Sequence, residues 1–429
     1  MKQEKVLVFP GSTEIGLEIF KCLHQVKGIE LFSADQDYKN HSRFVFKNNL
    51  IVPTVHSNYW LDELNKIIVQ NGIDLIFPAH DDVIVSLTSQ RDNIPSMIIS
   101  SPVETCVLTR SKSLTYNFFK DILPVPDIYT QSEQIKEFPI FAKPDRGHGS
   151  RNTHIISNMK QYLEMNLLNN SFVFTEYLPG SECTVDCFSD RDKGLLFCNP
   201  RMRTRIRNGI SMNSVPITDK REIKVLQQYA EIINSKLSIF GAWFFQVKKD
   251  ISQVYKILEI APRVSGTMAI QRVRGINLPL LSIYEAKRVP YEIMFNDIDI
   301  EIDRALVNRY KHNVIYDRVY VDLDDTLILN DKLNIKLITF LYQCINKKIP
   351  ITLITKHKYN LKETLLQNKL FELFDEILHI PDNVEKWKFI TNKRSIFIDD
   401  SFSERKSVSQ QIGIPTFDCS MIELLIEDI

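Results

Sequence analysis

Fourteen residues at 138–151, FPIFAKPDRGHGSR, constrain this chain more than any other stretch. Residues 140–142 read as the end of a buried strand. Lys143 closes it, Pro144 stops the ladder, and Gly147, His148, Gly149 and Ser150 follow as a loop. Glycine and small residues let backbone N–H groups crowd around an anion, and a strand-end lysine adds a fixed positive charge beside them. The plainer alternative is a strand followed by a surface turn, and the rest of the chain decides between the two.

At 429 residues the chain exceeds one ordinary core, so roughly two to four domains are expected. Lys+Arg and Asp+Glu both number 53, which leaves no global field to favour nucleic acid or an anionic membrane. No apolar run approaches ~20 residues, so no membrane span is expected. The first residues lead straight into a strand without a signal-peptide pattern. Seven scattered cysteines suggest free thiols in a reducing cytosol, and a cytoplasmic location is expected. Cys183, Cys187 and Cys198 form the one cluster, but no CxxC pair exists and zinc is disfavoured.

Residues 5–9 (KVLVF) read as a strand, and PGSTEIG at 10–16 opens a helix through Leu23. This is the first βα unit of a doubly wound sheet, with a loop too incomplete for the dinucleotide fingerprint. A strand at 73–78 ends in His80, Asp81 and Asp82, where ligands of such sheets gather. Either aspartate could touch substrate, with a helix N-cap as the plainer job. Lys112 rides a helix at 111–121, and Pro124 and Pro126 break the chain before the lysine–glycine stretch. Strands at 172–177 and 183–188 flank LPGSE at 178–182. Arg201, Arg203, Arg205 and Arg207 recur at period two, one face of an extended segment suited to a polyphosphate or carboxylate, or else a solvated edge. After an amphipathic helix at 222–237, a strand pair at 243–248 and 254–260 leads to EIAPR at 259–263.

The order of these pieces resembles the ATP-grasp ligases: a strand-end lysine with a glycine loop, TEYLPGSE, a glutamine on a strand, then EIAPR. The halves of the carbamoyl-phosphate synthetase large subunit are most similar, with biotin carboxylase and D-alanine–D-alanine ligase more distant. The resemblance covers about residues 1–310 and implies ATP and Mg²⁺ as cofactors. It implies that Lys143 and Lys112 contact ATP phosphates, and that Gly147, Gly149 and Ser150 form a lid over them. Glu176, Tyr177 and Leu178 match the hinge that reads adenine, and Glu182 the acid on the ribose. Gln246 and Glu259 match magnesium ligands, and Arg263 the arginine at the transferred phosphoryl group. Hard Mg²⁺ takes oxygen ligands and bridges phosphates, while lysine, arginine and metal together offset the moving charge. The family pattern E-x-N-x-R has Ala261 at the asparagine position here, so one magnesium ligand is missing and weaker metal binding or altered chemistry is expected. Arg272 and Arg274 are candidates for holding a substrate carboxylate, alongside Arg201 and Arg203, or are simply surface charge on a helix.

A second pattern begins after a boundary near 312–317. The strand at 319–322 ends in Asp322 and continues LDDT, which resembles the haloacid-dehalogenase phosphatases. A strand at 351–355 ending in Thr355, a helix opened by Lys386 and a strand ending in Asp399 and Asp400 follow in that family's order. The resemblance implies that Asp322 attacks phosphorus and that Asp324 protonates the leaving oxygen. Thr355 and Lys386 would hold phosphoryl oxygens. Asp322, Asp324 through its carbonyl, Asp399 and Asp400 would hold Mg²⁺. The short segments between the motifs leave no room for a large cap.

The expected class is α/β in three parts: a nucleotide-fold (pre-ATP-grasp) domain at 1–105, an ATP-grasp domain at 106–312, and a doubly wound haloacid-dehalogenase-like domain without a large cap at 316–429. The expected function is bifunctional, an ADP-forming carboxylate–amine ligase fused to a Mg²⁺-dependent phosphatase. Alternatives are a small-molecule kinase feeding the phosphatase, and a non-catalytic nucleotide sensor. The expected partners are a small carboxylate, an amine and a phosphorylated metabolite, with no nucleic acid and no membrane; a homodimer is admitted.

Overall fold

A computed structural model describes residues 3–37, 39–147, 151–168, 172–207, 209–305 and 308–426. The expected lid residues Gly149 and Ser150 lie outside the described residues.

The chain is a mixed α/β fold. Its front carries a five-stranded parallel sheet in the order Asn48–Ile51, Ile29–Asp35, Glu4–Phe9, Leu75–Pro78, Met97–Ile98. Strands Glu4–Phe9 and Leu75–Pro78 are nearly continuous runs of buried apolar residues, as strands covered on both faces require. The strand order reverses between these two, so their carboxyl ends frame a crevice. Gly11 enters it tightly: a Cβ there would stand 2.4 Å from Ser33 Cβ. Thr13 caps the helix Glu14–Leu23 by accepting from Gly16 N at 2.9 Å. On the other side His80, not either aspartate, caps the helix Asp81–Ser89, its Nδ1 accepting from Asp82 N at 3.2 Å. The N-cap reading of Asp81 and Asp82 is thereby corrected; both lie in the first turn, where helix-dipole attraction suits an acid.

Two antiparallel sheets follow. The smaller runs Ile128–Tyr129, Phe172–Glu176, Ile140–Pro144, His154–Ile156, with Tyr162 of the helix Met159–Leu168 packed on Phe174 at 4.8 Å between ring centroids. Pro144 is the last residue of its strand and ends the ladder opposite Phe172, as expected. The larger sheet orders Tyr255–Ala261, Gly241–Lys249, Glu182–Asp190, Gly194–Arg207, Ile210–Pro216, Ile300–Arg304, Asn308–His312. The helix Lys220–Lys236 buries Leu226, Ala230 and Ile233, spaced four and three apart, against it. The arginines do not keep period two: the register shifts between Arg203 and Arg205 and again before Ile206. Arg201 and Arg203 are buried, whereas Arg205 is exposed beside Asp303. A bulge adds a residue and re-aims side chains, which an alternation rule cannot anticipate.

The back of the chain forms a second five-stranded parallel sheet, Glu376–His379, Ile351–Thr355, Arg318–Val321, Ser395–Ile398, Thr416–Phe417. Lys386 begins a single 3₁₀ turn, Lys386–Phe389, rather than the expected α-helix. The front and back share a core: Ala269, Ile270, Val273 and Ile302 pack in one cluster with Val319, Leu337 and Leu353. No helix among the described residues is long and apolar enough to cross a membrane.

Candidate active sites

Lys143 leaves its strand at the floor of a cleft between the two antiparallel sheets. Its ammonium is buried, donates to Tyr116 Oη at 2.7 Å and lies 5.0 Å from that ring's centroid. Tyr116 passes the chain on, donating to Leu258 O at 2.6 Å. Lys112 Nζ donates to Asp145 O and Gly147 O, at 3.4 Å each. The hydrogen bonds of both lysines thus go to a phenol and to carbonyls rather than to carboxylates. Burial, and then the neighbouring Lys112, push Lys143 down to about 7; burial also lowers Lys112, against the pull of Glu259. An anion arriving here would relieve both.

Gly147, Glu176, Tyr177, Leu178, Glu182, Gln246 and Glu259 line the same cleft, so the structure brings together every described residue expected at the nucleotide. Several carry other bonds. The carboxylate of Glu176 pairs with Lys256 and accepts from Asp127 N at 2.9 Å. Arg203 links Glu182 to Gln246, donating to Gln246 Oε1 at 2.8 Å and to Gly209 O at 2.6 Å. Gln246 and Glu259 face each other across adjacent strands, with Ala261 opposite Phe244. Only Glu259 brings a negative charge to that pair, a sparse donor set for a divalent cation. The two lysines would suit a polyphosphate, and Gln246 with Glu259 would suit one divalent ion better than two.

Gln246 and Glu259 also belong to a second cavity of about 600 Å³ that reaches Thr13, Glu14, His80 and Asp81 at the front crevice. Arg151, Arg201, Arg203, Arg263 and Arg304 line it, which suits an anionic substrate. Arg263 donates to both oxygens of Asp81, at 2.5 and 3.1 Å. Burial would raise the Asp81 carboxyl, but Arg263 prevails and holds it well below the usual range. Arg201 is buried on Asp186, at 2.8 and 3.5 Å, with Ser214 and Ser265 at 3.1 Å. Asp186, Tyr116 and Asp81 were not expected as partners of the site arginines and lysines. Tyr116 stands four residues after Lys112, one turn along the same helix face, which is the signal that could have found it.

Arg272 does not reach this cavity, and the substrate reading for it is corrected. It is buried, donates to Ser420 O at 2.6 Å, and pairs with Glu423 of the C-terminal part and, at 3.8 Å, with Glu18. Its charge is spent holding front to back. Arg274 lies over Phe295, 4.1 Å from the ring centroid, likewise away from the arginine cavity.

At the carboxyl end of the back sheet, ligand atoms of Asp322, Asp399 and Asp400 lie within 4.8 Å of one another, the one such acidic or sulfur group among the described residues. Cys183, Cys187 and Cys198 form none. Lys386 Nζ reaches Asp322 Oδ1 and Asp399 Oδ2, both at 2.6 Å. Burial, then Asp399, raise Asp322 to about 8 against the pull of Lys386, and burial raises Asp399 as well. This crowding of acids fits a hard divalent cation. Asp324 stands apart from the trio by side chain: His357 Nδ1 lies 2.9 and 3.0 Å from its two oxygens, and His357 Nε2 lies 2.9 Å from Thr364 Oγ1. Thr355 is buried at its strand end and accepts from His357 N at 3.2 Å. Thr326 accepts from Asp400 N at 2.8 Å, and Arg405 donates to Asp399 O and Asp400 O at 2.7 Å each. His357 and Arg405 were not anticipated; His357 follows a strand end by two residues, where such sheets gather function.

Residues 169–302 match a family model described as ATP-grasp in the biosynthetic pathway with Ter operon. A D-alanine–D-alanine ligase of Petrotoga mobilis is 30% identical over 100 residues, which cover 22% of this chain and 34% of that ligase. The chain thus spans only about a third of that relative's length. The N5-carboxyaminoimidazole synthetase of Staphylococcus aureus complexed with ADP superposes with a TM-score of 0.59 at 16% identity, covering 71% of this chain and 83% of that one. The biotin carboxylase domain dimer of the Hydrogenobacter thermophilus 2-oxoglutarate carboxylase, in complex with MgADP, ADP and bicarbonate, gives 0.59 at 12% identity, covering 71% and 75%. At these identities the likeness to solved structures is one of fold, and it supports the ATP-grasp reading of the front of the chain.

Proposed function

We propose that the chain carries two phosphoryl-transfer centres: an ATP-dependent carboxylate–amine ligase over 1–312 and a Mg²⁺-dependent phosphohydrolase over 316–429. The observation that carries the ligase is the junction of two cavities. A cleft floored by Lys143 and Lys112 shares Gln246 and Glu259 with an arginine-lined cavity beside it. Two reactants held on either side of those residues would meet there, and holding them together removes much of the entropic barrier.

Lys112 and Lys143 would take ATP phosphate oxygens, Glu182 the ribose, and residues 176–178 the base. Glu259 and Gln246 would hold Mg²⁺, which when bound offsets charge on the phosphates. A substrate carboxylate oxygen attacks the terminal phosphorus, the bond to the bridging oxygen breaks, and ADP leaves. Arg263, held by Asp81, offsets charge on the phosphoryl group in transit. The amine nitrogen then attacks the acyl carbon, phosphate departs, and the amine proton passes to base.

In the back centre Asp322 Oδ attacks phosphorus and the ester P–O bond breaks. The leaving oxygen takes a proton from Asp324, positioned by His357. Water, yielding its proton to Asp324, then opens the aspartyl phosphate and phosphate leaves. Asp322, Asp399 and Asp400 would hold Mg²⁺, which supplies charge stabilisation on the phosphoryl oxygens. Lys386 and Thr355 hold those oxygens.

A kinase in the front part is the second reading, and Ala261 with the Arg203–Gln246 bond favours it by leaving a metal site unlike the family pattern. ³¹P NMR of the Asp322→Asn chain with Mg-ATP and pooled carboxylates and amines separates the two. ADP and phosphate appearing only when both pools are present supports the ligase. A new phosphorus resonance that accumulates with ADP, and that unaltered chain erases, supports the kinase. ATP left intact with every pool sinks both.

A further inference from the structure

The backbone that leaves the strand Ile140–Pro144 is tied down by the junction of two helices. The helix Val103–Arg110 ends in Arg110, and the helix Lys112–Phe119 follows at once. Residues 110–113 of that junction grip residues 145–147. Ser111 Oγ donates to Asp145 Oδ2 and Ser113 N to Asp145 Oδ1, at 2.7 Å each, and Lys112 N donates to Asp145 O at 3.2 Å. Arg110 takes the next two carbonyls: Nη2 donates to Arg146 O at 3.2 Å and Nη1 to Gly147 O at 3.3 Å. Lys112 Nζ reaches Gly147 O as well, at 3.4 Å, so that carbonyl is shared by two cations.

The remaining nitrogen of Arg110 turns to the front crevice, where Nε donates to Asp82 Oδ1 at 2.8 Å. The arginine side chain is only 8% exposed. Burial would raise the Asp82 carboxyl, but Arg110 prevails and holds it below the usual range. Asp82 follows Asp81, which holds Arg263, so the first turn of the helix Asp81–Ser89 clasps two arginines. Arg263 lines the arginine-rich cavity, and Arg110 holds backbone at the edge of the nucleotide cleft. A planar guanidinium serves a carboxylate and two carbonyls at once in a fixed geometry, which a lysine ammonium cannot copy.

We propose that Asp82 and Arg110 are positioning residues of the nucleotide cleft, which hold the carbonyls of Arg146 and Gly147 and thereby release Lys112 to the phosphates of a bound nucleotide. The proposal rests on the nucleotide reading of this cleft above. Neither side chain is among those lining the cleft, so the effect passes through the backbone and Lys112. With Arg110 in place, Lys112 can leave Gly147 O for a phosphate oxygen and the carbonyl keeps a donor. With Arg110 gone, Lys112 is the remaining donor to that carbonyl among the described residues. Its departure then leaves a carbonyl unpaired, and the nucleotide bears that cost.

The test is calorimetric titration of ADP and of adenosine into the full chain, Arg110→Met, Lys112→Met and the double variant. Arg110→Met is expected to weaken ADP about tenfold and to leave adenosine, which has no phosphates, within about twofold. In the Lys112→Met background the same change should cost less than about threefold, because the residue it acts through is absent. Asp82→Ala, on a partly exposed side chain, should weaken ADP about fivefold and show the same dependence on Lys112; it carries the test if Arg110→Met does not fold. The proposal falls if ADP affinity stays within twofold in either variant, if adenosine weakens in step with ADP, or if the loss is equal with and without Lys112. If the unaltered chain binds neither ADP nor adenosine, the nucleotide reading itself fails and takes the proposal with it.

Discussion

In the cleft between the antiparallel sheets cations crowd: Lys112, Lys143 and Lys248 line it with Glu182 and Glu259, and Arg203 bridges Glu182 and Gln246. At the end of the back sheet the balance is reversed, with Asp322, Asp399 and Asp400 grouped and Lys386 paired to the first two. Both arrangements suit a phosphoryl group and a divalent cation, but they leave different partners to arrive. In the first, the lysines direct their hydrogen bonds to a phenol and carbonyls, which an anion would relieve. In the second, burial raises both Asp322 and Asp399, and Asp399 raises Asp322 further, which a cation would relieve. On the proposed reading a nucleotide would complete the front and a metal the back.

If the two centres are chemically separate, single substitutions will silence one and spare the other. Asp322→Asn should lower phosphoester hydrolysis by on the order of 10⁴-fold or more, because the nucleophile is lost, and leave ADP formation unchanged. Lys143→Ala should lower ATP turnover by roughly 10²–10³-fold and leave ester hydrolysis intact. Phosphate release and a coupled ADP assay on both variants read the pair. A variant that depresses both activities together would mean that the centres share a step.

These centres were not equally legible. Lys143 and Glu259 lie on antiparallel strands and were placed by the order of the ATP-grasp motifs, whereas Asp322 and Thr355 were readable because a doubly wound sheet collects its ligands at one edge. Asp399 and Asp400 followed from the same rule. What local pattern does not hold is who meets whom across long separations. Arg272 reads as a substrate arginine, yet its partner Glu423 lies 151 positions away in the chain. Arg263 could be found by order, but Asp81, 182 positions earlier, could not be found as its partner. The bulge after Arg203 defeats an alternation argument because it inserts a residue where the period assumes none. Lys386 was found by spacing while its helix was not, since one 3₁₀ turn suffices to deliver the side chain.

The sparse metal site of the front offers a way to bring the two centres closer together. Ala261→Asn adds an amide oxygen on the strand that carries Glu259. The Mg²⁺ concentration giving half-maximal ATP turnover should fall several-fold, up to about tenfold. The requirement of ester hydrolysis should not move. An unchanged requirement for ATP turnover would show that residue 261 does not face the metal, and that the departure from the family pattern is neutral.

The smallest expected effect follows from the sign of the Lys143 shift. Burial first, and Lys112 second, depress its ammonium to about 7 from the ordinary lysine value of 10.5. Between those values the unfolded chain binds a proton that the folded chain does not, so this group favours folding more as pH rises through that window, and disfavours it below. Nucleotide phosphate reverses the balance by favouring the charged amine. At pH 8 binding should therefore take up a fraction of a proton, and affinity should fall as pH rises above 7 by at most about tenfold per unit. Below pH 7 the lysine is already charged and the dependence should flatten. Calorimetric titration of ADP at pH 8 in two buffers of different ionisation enthalpy measures the uptake directly. Lys143→Met should abolish it, and equal enthalpies in the two buffers for the unaltered chain would remove Lys143 from the phosphate contacts.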